Sequence, residues 1–302
     1  MAVLRLILLT MIVIVVSALD ASEPVHHSKG SDAKLVYEKI ASIRYLQDDR
    51  PERMDAYIPK VGSGKPYPAV VYIHGGGWTK GTRDNKRAVN IASTLAGAGI
   101  AVFSIDYKLA LREKREGGNV TVEGSWPQNI FDCKTAVRYV RKNAGGYGID
   151  PNNIGVMGCS AGGHLALLTG LSSESEELNN GGLYCDVSND IKCIVDMYGI
   201  PDVRVWGGHV FIEPSQNDAP EMYRLASPVT YIEKDSPAVL VIHGDKDKVV
   251  NVEQSRLFVD KLKEIGASYK YVEVKEGPHS FDLENHMDIR PVVIDFLKEQ
   301  LM

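Results

Sequence analysis

The chain has 302 residues, 44% of them hydrophobic and 24% charged, which is an ordinary composition for a globular protein. Its length allows one large domain or two small ones, and the sequence contains no visible internal repeat. The net charge of -5 at pH 7, the pI near 5.9 and the lack of a basic cluster on any one predicted element argue against a nucleic-acid partner.

The N-terminus has the pattern of an export signal. An arginine precedes an apolar run at residues 6–16, which suits a signal peptide and is short for a membrane span. Small residues follow, so cleavage after Ala18 or after Ala21 would fit equally well, and an uncleaved anchor is the alternative. We therefore expect a signal peptide over residues 1–21, a periplasmic or extracellular protein, and no stable membrane anchor after cleavage.

Segments rich in β-branched and apolar residues alternate with helical patterns along the rest of the chain. The predicted strands cover residues 36–45, 54–58, 69–73, 100–106, 154–157, 191–197, 238–242 and 269–274. The predicted helices cover residues 85–98, 128–143, 161–171, 252–265 and 289–301. This alternation predicts an α/β fold with a mostly parallel sheet of about eight strands, covered by helices on both faces, whose first two strands are antiparallel edge strands.

Two longer stretches show no clear period. Residues 109–126 are charged and contain glycine, and we expect them to form a loop long enough to be a functional insertion or a mobile loop. Residues 201–237 hold Trp206 and Phe211, and we expect them to form a small cap or lid.

The motif G-C-S-A-G at residues 158–162 lies between a predicted strand and a predicted helix. A G-x-S-x-G pattern is frequent by chance, but in this context it is typical of a sharp, strained turn that presents a serine nucleophile. Ser160 would project its hydroxyl above the sheet at a helix N-terminus, whose positive dipole end favours developing negative charge. The alternative is an ordinary packing turn.

The motif H-G-G-G-W at residues 74–78 directly follows a predicted buried strand. Consecutive glycines let backbone N–H groups turn inward with no side chain in the way of a substrate. We expect the N–H groups of Gly76, Gly77 and Ala161 to bind an oxyanion. The alternative is a flexible glycine loop.

An acid and a base are expected late in the chain. The loop H-G-D-K-D follows the predicted strand 238–242, and we favour Asp247 as the acid because Asp245 is more typical of a turn former. His279 lies in a turn after the last predicted strand, where this order of motifs places the base. His74 and His243 stand at strand ends, and we expect them to hold loops by hydrogen bonds.

Together these groups fit a Ser-His-Asp triad. Asp247 would hold the imidazole of His279, which would take the proton of Ser160 as the serine attacks an ester carbonyl. This chemistry requires no metal and no organic cofactor, and no His/Cys spacing in the sequence suggests a metal site.

The four cysteines are Cys133, Cys159, Cys185 and Cys193. Cys185 and Cys193 flank a short polar stretch, and in an exported protein we expect them to form a disulfide. The alternative is that all four are small buried hydrophobic residues.

At these motifs the chain resembles the α/β-hydrolase superfamily and, more narrowly, its bacterial carbohydrate-esterase and feruloyl-esterase-like branch. The resemblance extends from about Tyr57 to Phe296 and is most specific in V-Y-I-H-G-G-G-W, S-I-D-Y-K-L, Y-G-I-D-P-N-N-I-G-V-M-G-C-S-A-G-G-H-L-A and I-H-G-D-K-D-K-V-V. It implies an α/β-hydrolase catalytic domain over residues 22–302. It also carries the triad roles directly onto Ser160, Asp247 and His279.

Some positions depart from related patterns. Hormone-sensitive-lipase relatives share H-G-G-G but usually have Asp and Asn where this chain has Cys159 and His164, which favours the feruloyl-esterase-like group. Lys108 stands where arginine is usual, and Ser280 follows the base where glycine is common. Neither departure removes a catalytic group, although both could alter loop packing.

The leading hypothesis is therefore an exported serine esterase for short-acyl or aromatic esters, and the resemblance points to acetyl or feruloyl esters of polysaccharide. Trp78 and Trp206 are the candidate substrate-binding residues, because aromatic faces suit sugar rings and phenolic acyl groups. The alternative for both is packing of the cap against the core. The competing functions are an amidase or formamidase, and a non-catalytic binding module on a hydrolase fold.

Overall fold

The computed structural model describes residues 37–60, 64, 66–114, 120–207 and 210–302. The predicted signal peptide at residues 1–21 lies outside these ranges. No helix within the described ranges is both long enough and apolar enough to cross a lipid bilayer.

Eight strands form one sheet in the order β1-β2-β4-β3-β7-β8-β9-β10. These strands are β1 Tyr37–Ile43, β2 Met54–Pro59, β3 Tyr67–Ile73, β4 Ala101–Ile105, β7 Ile149–Cys159, β8 Cys193–Met197, β9 Ala238–Gly244 and β10 Tyr269–Val274. Strand β2 pairs antiparallel with both β1 and β4, and all pairs from β4 to β10 are parallel. The predicted α/β architecture and the antiparallel pairing of its leading strands are thus confirmed. The edge position predicted for both strands is correct only for β1, because β2 also pairs with β4.

Helices occupy the crossovers between the parallel strands, and one more helix follows the last strand. They are α1 Lys86–Gly97, α2 Gln128–Lys142, α3 Ala144–Tyr147, α4 Ala161–Leu171, α5 Glu176–Asn179, α6 Val203–Trp206, α7 Pro220–Leu225, α8 Glu253–Ile265 and α9 Arg290–Leu301, with a 3₁₀ turn at Pro228–Tyr231. Local chemistry sets some of these ends. The Asn85 side chain accepts a hydrogen bond from the Ala88 N–H at the start of α1, and Gly266 ends α8 in the left-handed conformation.

The core consists of two apolar layers, one on each face of the sheet. Alternate residues of β3 divide between them, with Val71 in one layer and Val70 in the other. The first layer takes side chains from α2, α4 and α8, and the second takes them from α1 and α9. Because both faces are covered, β3 and β4 are buried almost throughout and read as continuous apolar runs in the sequence.

The segment 109–126 differs from the predicted loop. Two short strands, β5 Leu111–Lys114 and β6 Val120–Glu123, pair antiparallel in a separate sheet. The run V-T-V in β6 consists of β-branched residues, which favour an extended backbone. The charged residues before this run led to the prediction of a loop.

The predicted Cys185–Cys193 disulfide is wrong, since both thiols are free in the structure. Cys193 starts strand β8 and is buried in the layer that α9 covers, where burial raises the pKa of its thiol to about 12. Cys185 is exposed and lies beside Arg138 of helix α2, which covers the other face of the sheet. The two side chains therefore lie on opposite sides of the sheet.

Candidate active site

Ser160 occupies a tight turn between β7 and α4. Its backbone has φ 55° and ψ −122°, a strained conformation for a residue with a side chain. The Ser160 N–H donates to the Met197 carbonyl at 2.8 Å, and this bond ties the turn to the end of β8.

Glycines on both sides allow this turn to pack closely. A Cβ on Gly158 would lie 2.0 Å from the Gly162 carbonyl oxygen, and a Cβ on Gly162 would lie 2.1 Å from the Ile73 carbonyl oxygen. Side chains at these positions would therefore push helix α4 away from β7 and β3. The two glycines of the G-x-S-x-G pattern therefore permit the predicted strand-to-helix turn.

Three predicted site residues form one hydrogen-bonded chain. The Nε2 of His279 lies 3.0 Å from the Ser160 Oγ, and its Nδ1 lies 2.6 Å from the Asp247 Oδ2. His279 comes from the loop after β10 and Asp247 from the loop after β9, so the carboxyl ends of neighbouring parallel strands bring them together. The Asp247 side chain is fully buried, and that of His279 is 12% exposed.

Asp247 is held as a carboxylate by four donors. Its Oδ1 accepts the N–H groups of Val249 and Val250 at 2.8 and 2.9 Å, and its Oδ2 contacts both His279 and His243. Burial opposes the charged form, but the hydrogen bonds from His243, from His279 and from the backbone outweigh it, so the pKa of Asp247 falls well below its usual range.

Asp245 takes no part in this chain of hydrogen bonds. Its N–H donates to the Val274 carbonyl at 3.1 Å, and its Oδ1 is buried with no hydrogen-bond partner among the described residues. Of the two aspartates that the sequence left in competition, the structure places Asp247 against His279.

The glycine loop lies against the Ser160 turn. A Cβ on Gly75 would lie 3.3 Å from the Ser160 Cβ, and Gly76 and Gly77 have φ values of 129° and 60°, which glycine adopts without strain. Within the described ranges, the N–H groups of Gly76, Gly77 and Ala161 donate to no protein acceptor. These three predicted donors are therefore unpaired in the described part of the chain, and their role as an oxyanion hole stays a prediction.

The structure contradicts the predicted substrate contact of Trp78. Its side chain is 0% exposed, its Nε1–H donates to the His164 Nδ1 at 3.1 Å, and its ring centroid lies 4.4 Å from that of Phe211. The indole fills the core beneath the glycine loop because burial with its N–H paired is favourable. Trp206, by contrast, is only partly buried and packs on the edge of Trp78.

His164, which in the sequence only distinguishes this chain from hormone-sensitive-lipase relatives, has a structural role. From helix α4, its Nδ1 accepts the Trp78 N–H, and its Nε2 lies 2.7 Å from the Ala226 carbonyl in the segment predicted as a cap. The ring therefore links the glycine loop, the nucleophile helix and residues 201–237. The sequence places His164 in a predicted helix, but it does not indicate the contacts with Trp78 and with the Ala226 carbonyl.

The loop that carries His279 is fixed from two sides. The Tyr198 ring contacts the His279 ring at a centroid distance of 5.0 Å, and its hydroxyl donates to the Phe281 carbonyl at 2.9 Å. Arg87 donates to the Ser280 carbonyl. Ser280 itself has φ 67°, a backbone conformation that glycine adopts more readily than serine.

Asp196 is a buried carboxyl behind the nucleophile helix. Its Oδ1 accepts the Gly199 N–H at 3.0 Å, and its Oδ2 has no hydrogen-bond partner within the described part of the chain. Burial raises its pKa to about 7, against an opposing effect of the Gly199 hydrogen bond. The free energy of unfolding therefore falls as pH rises from the unfolded pKa, about 4, to about 7.

The Asp196→Asn variant is expected to be more stable than the parent protein at about pH 8 and to lose most of this advantage by about pH 4, near the unfolded pKa of an aspartate. The folded-state pKa lies above the unfolded value, so the free energy of unfolding of the parent falls as pH rises toward 7, by an amount on the order of a few kcal/mol. An asparagine keeps the Gly199 hydrogen bond and does not ionise. Thermal unfolding at both pH values measures the effect, and an equal difference in Tm at both would contradict it.

Residues 54–262 match the family model described as BD-FAE. Two similar curated proteins are the esterase LipC of Mycobacterium tuberculosis, 34% identical over 78% of this chain and 58% of its own length, and the esterase LipQ of the same organism, 31% identical over 86% and 62%. The chain thus spans less than two thirds of the length of either relative.

Solved structures show the same architecture. A truncated carbohydrate esterase from gut microbiota superposes with a TM-score of 0.75 and 27% identity, covering 90% of this chain and 98% of that one. An acetyl ester-xyloside bifunctional hydrolase from Caldicellulosiruptor lactoaceticus gives a TM-score of 0.67 and 25% identity, covering 84% and 90%. With the sheet order above, these likenesses confirm the predicted α/β-hydrolase fold.

Proposed function

The chain belongs to the BD-FAE family, and we propose that it is a serine carboxylic ester hydrolase with Ser160, His279 and Asp247 as its catalytic triad. The observation that carries this proposal is the unbroken hydrogen-bonded chain from the Ser160 Oγ through His279 to the Asp247 Oδ2. The curated relatives LipC and LipQ, both named as esterases, support the reaction class.

In the acylation step, Ser160 attacks the ester carbonyl while the His279 Nε2 accepts its hydroxyl proton. Asp247 keeps the Nδ1 of His279 protonated and stabilises the imidazolium that forms. The N–H groups of Gly76, Gly77 and Ala161 bind the oxyanion of the tetrahedral intermediate, and one such donor is worth about 2.7–4 kcal/mol of barrier. His279 then gives its proton to the leaving alcohol.

Water completes the cycle. His279 takes a proton from a water molecule, whose oxygen attacks the acyl carbonyl, and the collapse of the second intermediate releases the acid and returns the proton to Ser160. Every proton transfer uses the same imidazole, so the 3.0 Å contact between His279 and Ser160 serves both halves of the reaction.

The substrates proposed are short-acyl or aromatic esters of polar alcohols, in particular acetyl or feruloyl groups on polysaccharide. The printed names of two structural neighbours, a carbohydrate esterase and an acetyl ester-xyloside hydrolase, support this class. The segment 201–237 also differs from the extended apolar lid of a long-chain lipase, because charged residues interrupt it. These are Asp202, Arg204, Glu213, Asp218, Glu221 and Arg224.

A substrate panel tests this assignment. We expect the full chain to hydrolyse p-nitrophenyl acetate and butyrate faster than the octanoate and decanoate, and to release acetate or ferulate from xylan fragments. A nitroanilide of the same acyl group serves as the amide control and should be hydrolysed far more slowly. Rates that rise through the longest acyl chains, with no acid released from xylan fragments, would rule the substrate class out.

Trp206→Ala is expected to raise KM for feruloylated or acetylated xylan fragments roughly 2- to 10-fold, since an aromatic contact contributes about 0.5–1.5 kcal/mol. The Trp206 ring is partly buried, and its Nε1–H donates at 3.4 Å to the Val249 carbonyl beside the Asp247 turn. The value of kcat for p-nitrophenyl acetate should change little. The matched control is Leu257→Ala, which removes an exposed apolar side chain from α8, and an equal KM in both variants would assign Trp206 to packing alone.

We further propose that residues 1–21 direct export and that the substrate is met outside the cytoplasm, with no nucleic-acid partner. The apolar run and the small residues that follow it support this. Expression of the full chain followed by N-terminal sequencing of the exported product would test it, with cleavage expected after Ala18 or Ala21.

A further inference from the structure

We propose that His243 is a positioning residue of the same site. It donates a second hydrogen bond to the Asp247 oxygen that binds His279, and Ser255 keeps its ring in the tautomer that can donate. The proposal rests on the role of Asp247 as the acid of the triad. It adds His243, at the end of β9, and Ser255, in α8, to the residues that orient the base His279.

The contacts of the His243 ring fix its tautomer. The side chain is fully buried, and its Nε2 lies 3.1 Å from the Asp247 Oδ2 and 3.0 Å from the Val250 carbonyl oxygen. Both of these neighbours can only accept, so the Nε2 carries a proton and donates to them. In a neutral ring the Nδ1 then accepts, and the hydroxyl of Ser255, 2.7 Å away, is the donor that satisfies it.

A neutral donor suits this position better than a cation would. The negative charge of Asp247 stabilises the imidazolium that forms on His279 during catalysis, and a second cation on the same oxygen would compete for it. A second carboxylate, that of Glu273, lies on the neighbouring strand β10 directly opposite His243. Arg256 donates two hydrogen bonds to it, at 2.7 and 2.9 Å. Its charge is therefore already compensated.

The hydrogen bond from His243 restricts rotation of the Asp247 carboxylate at Oδ2, the oxygen that binds His279. Backbone N–H groups hold Oδ1, while Oδ2 accepts from His279 at 2.6 Å and from His243 at 3.1 Å. Without His243, the carboxylate can turn about its χ2 angle and move Oδ2 away from the His279 Nδ1. A misplacement of 1 Å at a catalytic group costs about 10²-fold in rate.

A merely structural role is the alternative, because the same nitrogen also donates to the Val250 carbonyl and so holds the turn after β9. The two roles differ in what a replacement must restore. Positioning needs an N–H donor at the place of the Nε2, whereas packing needs only a side chain of similar volume.

The test compares His243→Gln with His243→Leu in the full chain. The amide nitrogen of glutamine can occupy the place of the imidazole Nε2 and donate to Asp247, whereas leucine fills the space without a donor. We expect His243→Leu to lower kcat for p-nitrophenyl acetate about 10²-fold with KM unchanged, and His243→Gln to regain most of that loss. Ser255→Ala should lower kcat, and Ser255→Thr, which keeps the hydroxyl, should not.

A spectroscopic signal provides a readout independent of turnover. The short hydrogen bond between the His279 Nδ1 and Asp247 should give a low-field proton resonance, present in the parent and in His243→Gln and shifted or absent in His243→Leu. Equal kcat losses in the Gln and Leu variants with an unchanged resonance would overturn the proposal. If His243→Leu does not fold, an unchanged kcat and resonance in Ser255→Ala would overturn it.

Failure of the proposed function would look different. A parent protein that turns over no ester would refute the esterase assignment, while the resonance in the His243 and Ser255 variants would still decide whether His243 positions Asp247.

Discussion

Ser160→Ala is expected to lower the rate of ester hydrolysis by about a millionfold, the size of effect that loss of a triad serine has in another serine hydrolase. The hydroxyl is the only atom of the side chain that reaches the His279 Nε2, at 3.0 Å, so the variant loses the nucleophile and leaves the base in place. Steady-state hydrolysis of p-nitrophenyl acetate measures the loss.

Thermal unfolding controls for the fold of this variant. Alanine keeps the Cβ and the same backbone turn, so Tm should stay close to that of the parent. Residual activity above a few per cent in a preparation free of parent enzyme would remove Ser160 from the role of nucleophile.

Asp247→Asn is expected to lower kcat about 10⁴-fold, as the corresponding change does in a well-studied triad. An asparagine can donate to the His279 Nδ1 and so hold the ring in the wrong tautomer, with its Nε2 protonated and unable to take the serine proton. The value of KM should change far less than kcat, because the Asp247 side chain is fully buried and contacts His279.

Asp245→Asn is the matched control, two residues away in the same loop. Its carboxylate contacts neither His279 nor His243 in the described structure, so we expect activity within about tenfold of the parent. A larger loss in Asp245→Asn than in Asp247→Asn would reverse the assignment of the acid.

Much of the fold was predictable because each element has a local signal. Doubly covered strands such as β3 read as continuous apolar runs, and α4 follows a G-x-S-x-G turn that leaves few other conformations open to the chain. The β5–β6 pair was missed because β5 consists mainly of consecutive charged residues, and lysine and glutamate are depleted in strands.

The parts of the candidate site that could be predicted are residues whose type and sequence position together indicate one function. A serine between two glycines and a histidine after the last strand stand out, and the structure brings Ser160, His279 and Asp247 together. The substrate contact of Trp78 was wrong because its burial depends on Phe211, more than a hundred residues away. The Cys185–Cys193 pair failed for a related reason, since separation in sequence does not report which face of the sheet each thiol occupies.

His243 illustrates the limit of sequence reasoning within the site itself. Its place at a strand end predicted that it holds a loop by hydrogen bonds, and its contact with the Val250 carbonyl fits that expectation. Its contact with Asp247 forms only because the loop after β9 turns back and brings two side chains four residues apart in the sequence to within 3.1 Å. A histidine four residues before a candidate acid was the available signal.

Covalent capture of the nucleophile tests most directly whether Ser160 attacks the ester. Diethyl p-nitrophenyl phosphate reacts with an activated serine to form a phosphoryl adduct that is hydrolysed slowly, and peptide mass spectrometry then locates it. We expect one diethylphosphoryl group on the peptide that contains Ser160, loss of ester hydrolysis in proportion to its occupancy, and no adduct in Ser160→Ala. Full labelling of Ser160 with ester hydrolysis intact, or inactivation with the label on another residue, would contradict the serine mechanism.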